Sequence, residues 1–178
     1  MTTSLDKLMM YLGDKEKEVV KSFTSFGADE QLALLYFIYK KMGDSITPAV
    51  PEAAEPELAP LLLGDFYNLS KDDQLAVMRE IATNADTEYS HAYGALTENN
   101  QLVVLYAWAK GMGDTVVGMP DDYSATDEMN KLISDIEGLE FESQISVLRA
   151  VATNMGYSAA DAVVTQQNTT KTDNVTAL

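Results

Sequence analysis

The chain has 178 residues, no cysteine, and 28 acidic against 12 basic side chains, for a formal charge of −16. This balance opposes nucleic-acid phosphates and anionic lipid surfaces, and the missing cysteines exclude disulfides, thiolate catalysis and cysteine-held metal centres. With 46% hydrophobic residues, no apolar run near the roughly 18 residues of a membrane span and no secretory leader pattern, one helical domain in the cytosol is expected.

Apolar residues recur at intervals of three and four along most of the chain, and strand signals are scarce, so the fold class is all-α. Helices are expected near 5–11, 15–24, 29–42, 54–63, 71–84, 87–94, 99–112, 126–137 and 141–155. Asp14 precedes a charged helical run and is a candidate N-cap, and Ser70 with Asp73 resembles a capping box before the next apolar helix. Gly43 and Gly113 each follow the last Met of a helix and suit a left-handed C-terminal cap. Lys40 and Lys41, the only adjacent basic pair, fall near a helix end, where cations complement the macrodipole. The segment 47–60 holds four of the five prolines and reads as an ordered connector. The expected division is a helical domain over 1–157 and a polar tail over 158–178, which has too little apolar surface to order itself.

The chain repeats itself at an offset of seventy residues. Gln31–Asp44 (QLALLYFIYKKMGD) aligns with Gln101–Asp114 (QLVVLYAWAKGMGD), and Gln74–Asn84 (QLAVMREIATN) aligns with Gln144–Asn154 (QISVLRAVATN). A unit of two helices has been used twice, which predicts a pseudo-twofold body with a central seam, since two copies are too few for a solenoid. The 31–44 and 101–114 helices are apolar nearly all the way round, so both should be central and contacted on two sides.

Catalytic chemistry is thinly supplied. His91 is the only histidine, and no G-x-S-x-G elbow occurs. Asp121 with Asp122, and Asp127 with Glu128, lack the alternation and central glycine of a calcium loop and read as solvated charge. Gly111 and Gly113 form a GMG at the wrong end of a helix for phosphate. The glycosylation-like triplets at Asn68, Asn168 and Asn174 have no secretory context. What remains is an interior supplied with nine methionines and nine tyrosines, several at matching repeat positions, such as Tyr36 with Tyr106 and Met42 with Met112. Flexible thioethers and rigid rings with one polar tip can pack a core or line a channel for an apolar ligand.

At ADEQLALLYFIYKKMGDSIT, QLAVMREIATNADT, NNQLVVLYAWAKGMGD and QISVLRAVATNMG the chain resembles the carotenoid-binding N-terminal domain of the cyanobacterial orange carotenoid protein, over roughly residues 20–156. It is similar to the helical carotenoid proteins, which consist of that domain alone. The resemblance implies two interleaved four-helix bundles enclosing a ketocarotenoid, with canthaxanthin, echinenone or 3′-hydroxyechinenone as candidates. Carried over by position, the implied tunnel comprises Leu32, Leu35, Tyr36, Tyr39, Leu75, Met78, Leu102, Leu105, Tyr106, Met112, Met119, Tyr123, Arg149, Ala152 and Met155. Where the photoreceptor domain commonly has tryptophans, this chain has Tyr36, Leu105 and Leu96, and only Trp108 remains.

The resemblance further implies a non-enzymatic role in photoprotection: quenching singlet oxygen, carrying pigment and, in some members, quenching phycobilisome excitation. Arg149 matches an arginine that contacts the C-terminal domain and light-harvesting antennae, so a separate carotenoid-donating protein resembling that domain and the phycobilisome are the expected partners. Burying about 800 Å² of polyene at ~25 cal/mol per Å² gives a gross term of about 20 kcal/mol, so polar contacts are needed for registration rather than for tightness. A ligand-free helical interaction module and an enzyme acting on an apolar substrate are the competing readings.

Overall fold

The structure is a computed structural model that describes residues 4–46 and 54–158. Among the described residues it contains eight α-helices: α1 (Ser4–Met10), α2 (Asp14–Ser25), α3 (Ala28–Ile46), α4 (Lys71–Ala82), α5 (Glu88–Gly94), α6 (Glu98–Gly111), α7 (Asp127–Glu137) and α8 (Phe141–Thr153). The all-α expectation holds, and each of these helices lies within a few residues of its predicted position. Residues 159–178 of the expected tail, Asn168 and Asn174 among them, and residues 47–53 of the proline-rich connector lie outside the described residues.

The helix expected at 54–63 does not form. Residues 56–64 are turns, followed by a short 3-10 helix over Asp65–Asn68. Pro60 has no N–H to donate and pushes Ala59 away from helical backbone. The chain wraps the Pro60 carbonyl instead: Asp65 N donates to it at 3.1 Å, and a Cβ on Gly64 would lie 2.5 Å from the same oxygen. Its apolar residues are still used, because Ala59, Leu62, Leu63 and Phe66 are buried.

Two caps differ from expectation. Asp14 is the first helical residue of α2 rather than its cap, a place occupied by Gly13 without a side-chain bond. Gly43 is buried inside α3, which runs on to Ile46, so Lys40 and Lys41 do not mark its end. Lys40 lies over the Tyr36 ring, 5.6 Å from its centroid, and Lys41 pairs with Glu137 at 3.2 Å. Gly113 does adopt positive φ, at 87°, and Ser70 Oγ accepts the Asp73 N–H at 3.1 Å as expected.

The repeat is visible in side-chain bonding. Gln74, Gln101 and Gln144 each donate through Nε2 to the carbonyl eight residues upstream: Phe66 at 3.3 Å, Tyr93 at 3.2 Å and Ile136 at 3.0 Å. Gln31 does the same shorter work on Phe26, at 2.9 Å. Each glutamine thus ties the start of a repeat helix to the end of the preceding segment, satisfying a carbonyl that burial would otherwise orphan. Arg79 forks onto Asp29 at 2.7 and 3.0 Å. Seventy residues on, Arg149 Nε donates to Asn99 Oδ1 at 3.0 Å, so the ion pair of the first copy is a neutral hydrogen bond in the second.

The halves interleave. α1 packs on α8, and α2 packs on both α7 and α8, while α3 touches α4, α6, α7 and α8. The ends of α4 and α8 are stitched together: Asn84, in left-handed conformation at φ 57°, donates to the carbonyls of Asn154 and Gly156 at 2.8 and 2.7 Å, and Gly156 N donates to the Ile81 carbonyl at 2.8 Å. The α6 helix is buried continuously from Gln101 to Tyr106 and again at Trp108, in agreement with its apolar circumference.

Candidate functional site

The seam between α3 and α6 is where the two copies face each other. A narrow cleft there, about 370 Å³ of free space including its open part, is lined by Leu32, Leu35, Tyr36, Met78, Ile81, Leu105, Trp108, Ala109, Met112 and Met155. Only about 20 Å³ of it admits the centre of a water molecule. No charged side chain is among these lining residues. The cleft opens past Tyr36, Ala109 and Met112 into a wider mouth of about 610 Å³, lined in addition by Tyr39, Lys40, Asp44, Tyr106 and Lys110.

Close approach at the seam depends on one glycine. A Cβ on Gly43 would lie 2.4 Å from Tyr106 Cε2 and 2.9 Å from Cδ2, so the ring of α6 presses on the bare backbone of α3. The Tyr39 and Tyr106 rings meet edge to face, with centroids 5.5 Å apart. Tyr106 Oη donates to the Asp44 carboxylate, and this bond, with burial, pushes its phenol up to about 12. Burial alone raises Tyr39 further, and its hydroxyl, fully enclosed, has no hydrogen-bond partner among the described residues. At the inner wall Trp108 stacks on Phe66 with centroids 4.1 Å apart and donates Nε1–H to the Leu62 carbonyl at 3.0 Å.

Nine of the fifteen residues expected to line a tunnel come together here: Leu32, Leu35, Tyr36, Met78, Leu105, Met112 and Met155 in the cleft, with Tyr39 and Tyr106 at the mouth. The other six line neither space. Leu75 is half-buried on α4, Leu102 is buried on α6, and Met119 is half-buried in the loop after α6. Tyr123 is 36% exposed, stacks on Phe37 at 6.2 Å and directs its hydroxyl to Met129 Sδ at 3.8 Å. Arg149 is half-buried against Asn99, and Ala152 is enclosed with its carbonyl accepting the Tyr93 hydroxyl at 2.8 Å. Sequence reasoning left out Ile81, Trp108 and Ala109 from the lining, and Lys40, Asp44 and Lys110 from the mouth. For Ala109 and Lys110 the signal was present, since they lie three and four residues after Tyr106 and share its helix face.

His91 stands apart from this seam. Its Nε2 lies 2.6 Å from Asp86 Oδ1 and its ring stacks on Tyr157 with centroids 4.1 Å apart. No group of three or more potential metal ligands occurs among the described residues, and no described helix is long and apolar enough to cross a membrane.

An elongated, non-polar ligand fits the chemistry of this lining: aliphatic, thioether and aromatic side chains inside, polar groups only at the mouth. The width is met less directly. Entry requires rotamer changes, and Met78, Met112 and Met155, unbranched and flexible, are the side chains suited to make them.

Residues 10–158 match the family described as Orange carotenoid protein, N-terminal. A Nostoc sp. strain PCC 7120 protein called orange carotenoid-binding domain-containing protein is 37% identical over 145 residues, covering 81% of this chain and 85% of that one. The Synechocystis sp. orange carotenoid-binding protein is 32% identical over 158 residues, 84% of this chain, which spans only 50% of that relative. Among solved structures, the red carotenoid protein of Anabaena (Nostoc) sp. PCC 7120 binding canthaxanthin superposes with a TM-score of 0.70 at 33% identity, covering 80% of this chain and 99% of its own. With more than two thirds of its length matched in sequence and in fold, this chain belongs to the orange carotenoid protein N-terminal family.

Proposed function

We propose that this chain binds a ketocarotenoid in the cleft between α3 and α6 and serves in photoprotection in the cyanobacterial cytoplasm, quenching singlet oxygen and carrying pigment. The observation that carries this reading is the uncharged cleft built from both copies of the repeat, in a fold shared with a canthaxanthin-binding protein. When bound, the polyene supplies the photochemistry, accepting excitation and releasing it as heat. The chain supplies everything else. Leu32, Leu35, Leu105 and Met155 exclude water, Trp108 gives a rigid inner wall, and the Tyr39–Tyr106 pair fixes the approach of α3 to α6.

No nucleophile or base takes part in this function, in keeping with a family that is generally non-enzymatic. Arg149, whose side chain among the described residues bonds the neutral Asn99, is the proposed contact for a carotenoid-donating protein resembling the C-terminal domain and for the phycobilisome. Purification from a canthaxanthin-producing host, followed by an absorption spectrum, tests the reading. A folded protein carrying a visible band is expected. A folded but colourless protein would instead support the ligand-free interaction module, which the narrow interior of the cleft favours. Phycobilisome fluorescence, measured with and without loaded protein, then separates an antenna quencher from a scavenger.

A further inference from the structure

The two copies of the repeat end in the same letters, Met-Gly-Asp, but not in the same shape. At Gly43 the helix continues to Ile46, which keeps Asp44 on α3 and against α6, where it accepts the Tyr106 hydroxyl. At Gly113 the backbone turns to φ 87°, and the Asp114 carbonyl instead accepts Lys71 Nζ at 2.9 Å. Only the mouth therefore acquires a carboxylate. Beside it stand two equivalent pairs, one from each copy: Lys40 over the Tyr36 ring and, at 5.8 Å from the centroid, Lys110 over the Tyr106 ring.

The hydrogen-bonding capacity of this mouth is specific. Asp44 as a carboxylate only accepts, the Tyr106 proton is already committed to it, Lys40 and Lys110 only donate, and the phenols of Tyr36 and Tyr39, which line the same space, can do either. A hydrocarbon end group entering the mouth would desolvate these groups without replacing their bonds. A ketone could use the lysine and phenol donors but leaves the Asp44 carboxylate unmatched. An anion would meet the lysines but be repelled by Asp44. A hydroxyl, which donates and accepts at once, matches both halves of the set.

We infer that the mouth is a specificity site for a hydroxyl on the terminal ring of the pigment, with Asp44 as the acceptor and Lys40 or Lys110 as donor. This rests on the pigment-binding reading above. The inner cleft would hold any polyene of suitable width, and the mouth would rank them by the polarity of the end they present.

Echinenone and 3′-hydroxyechinenone differ by one ring hydroxyl and form the matched probe. Both are offered in competition to apoprotein, and bound pigment is extracted and quantified, with the absorption band recorded. Wild type is expected to favour the hydroxylated pigment by about tenfold, the scale of one hydrogen bond to a charged group in a partly wet site. Asp44→Ala should bring the ratio within about twofold while still taking up both pigments, and Asp44→Asn, which retains an acceptor, should fall between. Lys131→Ala, remote from the mouth, should match wild type. Equal uptake by wild type, or a preference that survives Asp44→Ala, overturns the inference and leaves pigment binding standing. Failure of folded wild type to take up either pigment removes both.

Discussion

Gly43→Ala tests the packing of the seam because two effects of opposite sign meet at that position. Within a helix, Gly to Ala should stabilise by about 1 kcal/mol. Here the new methyl would lie 2.4 Å from one ring carbon of Tyr106 and 2.9 Å from another, well inside van der Waals contact. The ring cannot simply swing aside, being 4% exposed, set edge-on to Tyr39 and bonded to Asp44. Overpacking of this kind costs about 1–3 kcal/mol, and losing a hydrogen bond to a carboxylate adds about 1.5–3 kcal/mol. The sum is a net destabilisation of about 1.5–5 kcal/mol, read as a lower urea midpoint with unchanged m-value. The seam should also widen, so pigment loading or the position of the visible band changes with it. Gly113→Ala is the control. Nothing lies within 4 Å of a Cβ there, but φ is 87°, so it costs about 1–2 kcal/mol through backbone strain, and Asn should recover part of that loss at 113 but none at 43. A Gly43→Ala protein as stable as wild type would refute the claim that Tyr106 rests on the α3 backbone.

Trp108→Ala removes a side chain that is 2% exposed together with its stack on Phe66 and its bond to the Leu62 carbonyl. A loss of about 3–5 kcal/mol is expected by chemical denaturation, with impaired pigment retention. Asn99→Asp should recreate in the second copy the Arg79–Asp29 fork of the first and place an acid in the first turn of α6. Exposed pairs give about 0.5 kcal/mol, so the melting temperature should rise by about 2 °C, and a fall would count against the structural equivalence of the two sites. Alkaline titration follows from the tyrosines. The folded-state phenol of Tyr106 is raised to about 12, above the ordinary value near 10, so its contribution is fully present below pH 10 and is lost as pH rises through about 12. Unfolding free energy should therefore decline across that window, and Tyr106→Phe should decline less, as followed by denaturant titrations at fixed pH.

Local pattern determined most of the architecture. Helix positions, the Ser70 cap, the twofold use of one unit and the central placement of the two apolar helices were legible because they depend on periodicity and on residues close in sequence. The proline-rich stretch misled for a local reason too: its apolar spacing suits a helix, but Pro60 vetoes one, and the leucines are buried from turns. Nine candidate lining residues could be placed in the cleft and its mouth because the repeat brings α3 and α6 face to face, with Met78 and Met155 added from α4 and the turn after α8. Tertiary structure decided the rest. Two identical Met-Gly-Asp endings diverge: the Tyr106 ring lies against Gly43, in a helix that continues, whereas at Gly113 the backbone takes positive φ, its N–H bonds the Val116 carbonyl at 2.9 Å and the chain turns away. From that divergence come the lone carboxylate of the mouth, its bond to Tyr106 and the polarity of one end of the cleft. No local signal could have shown it, since the difference lies in what the other half of the molecule places against the same three residues.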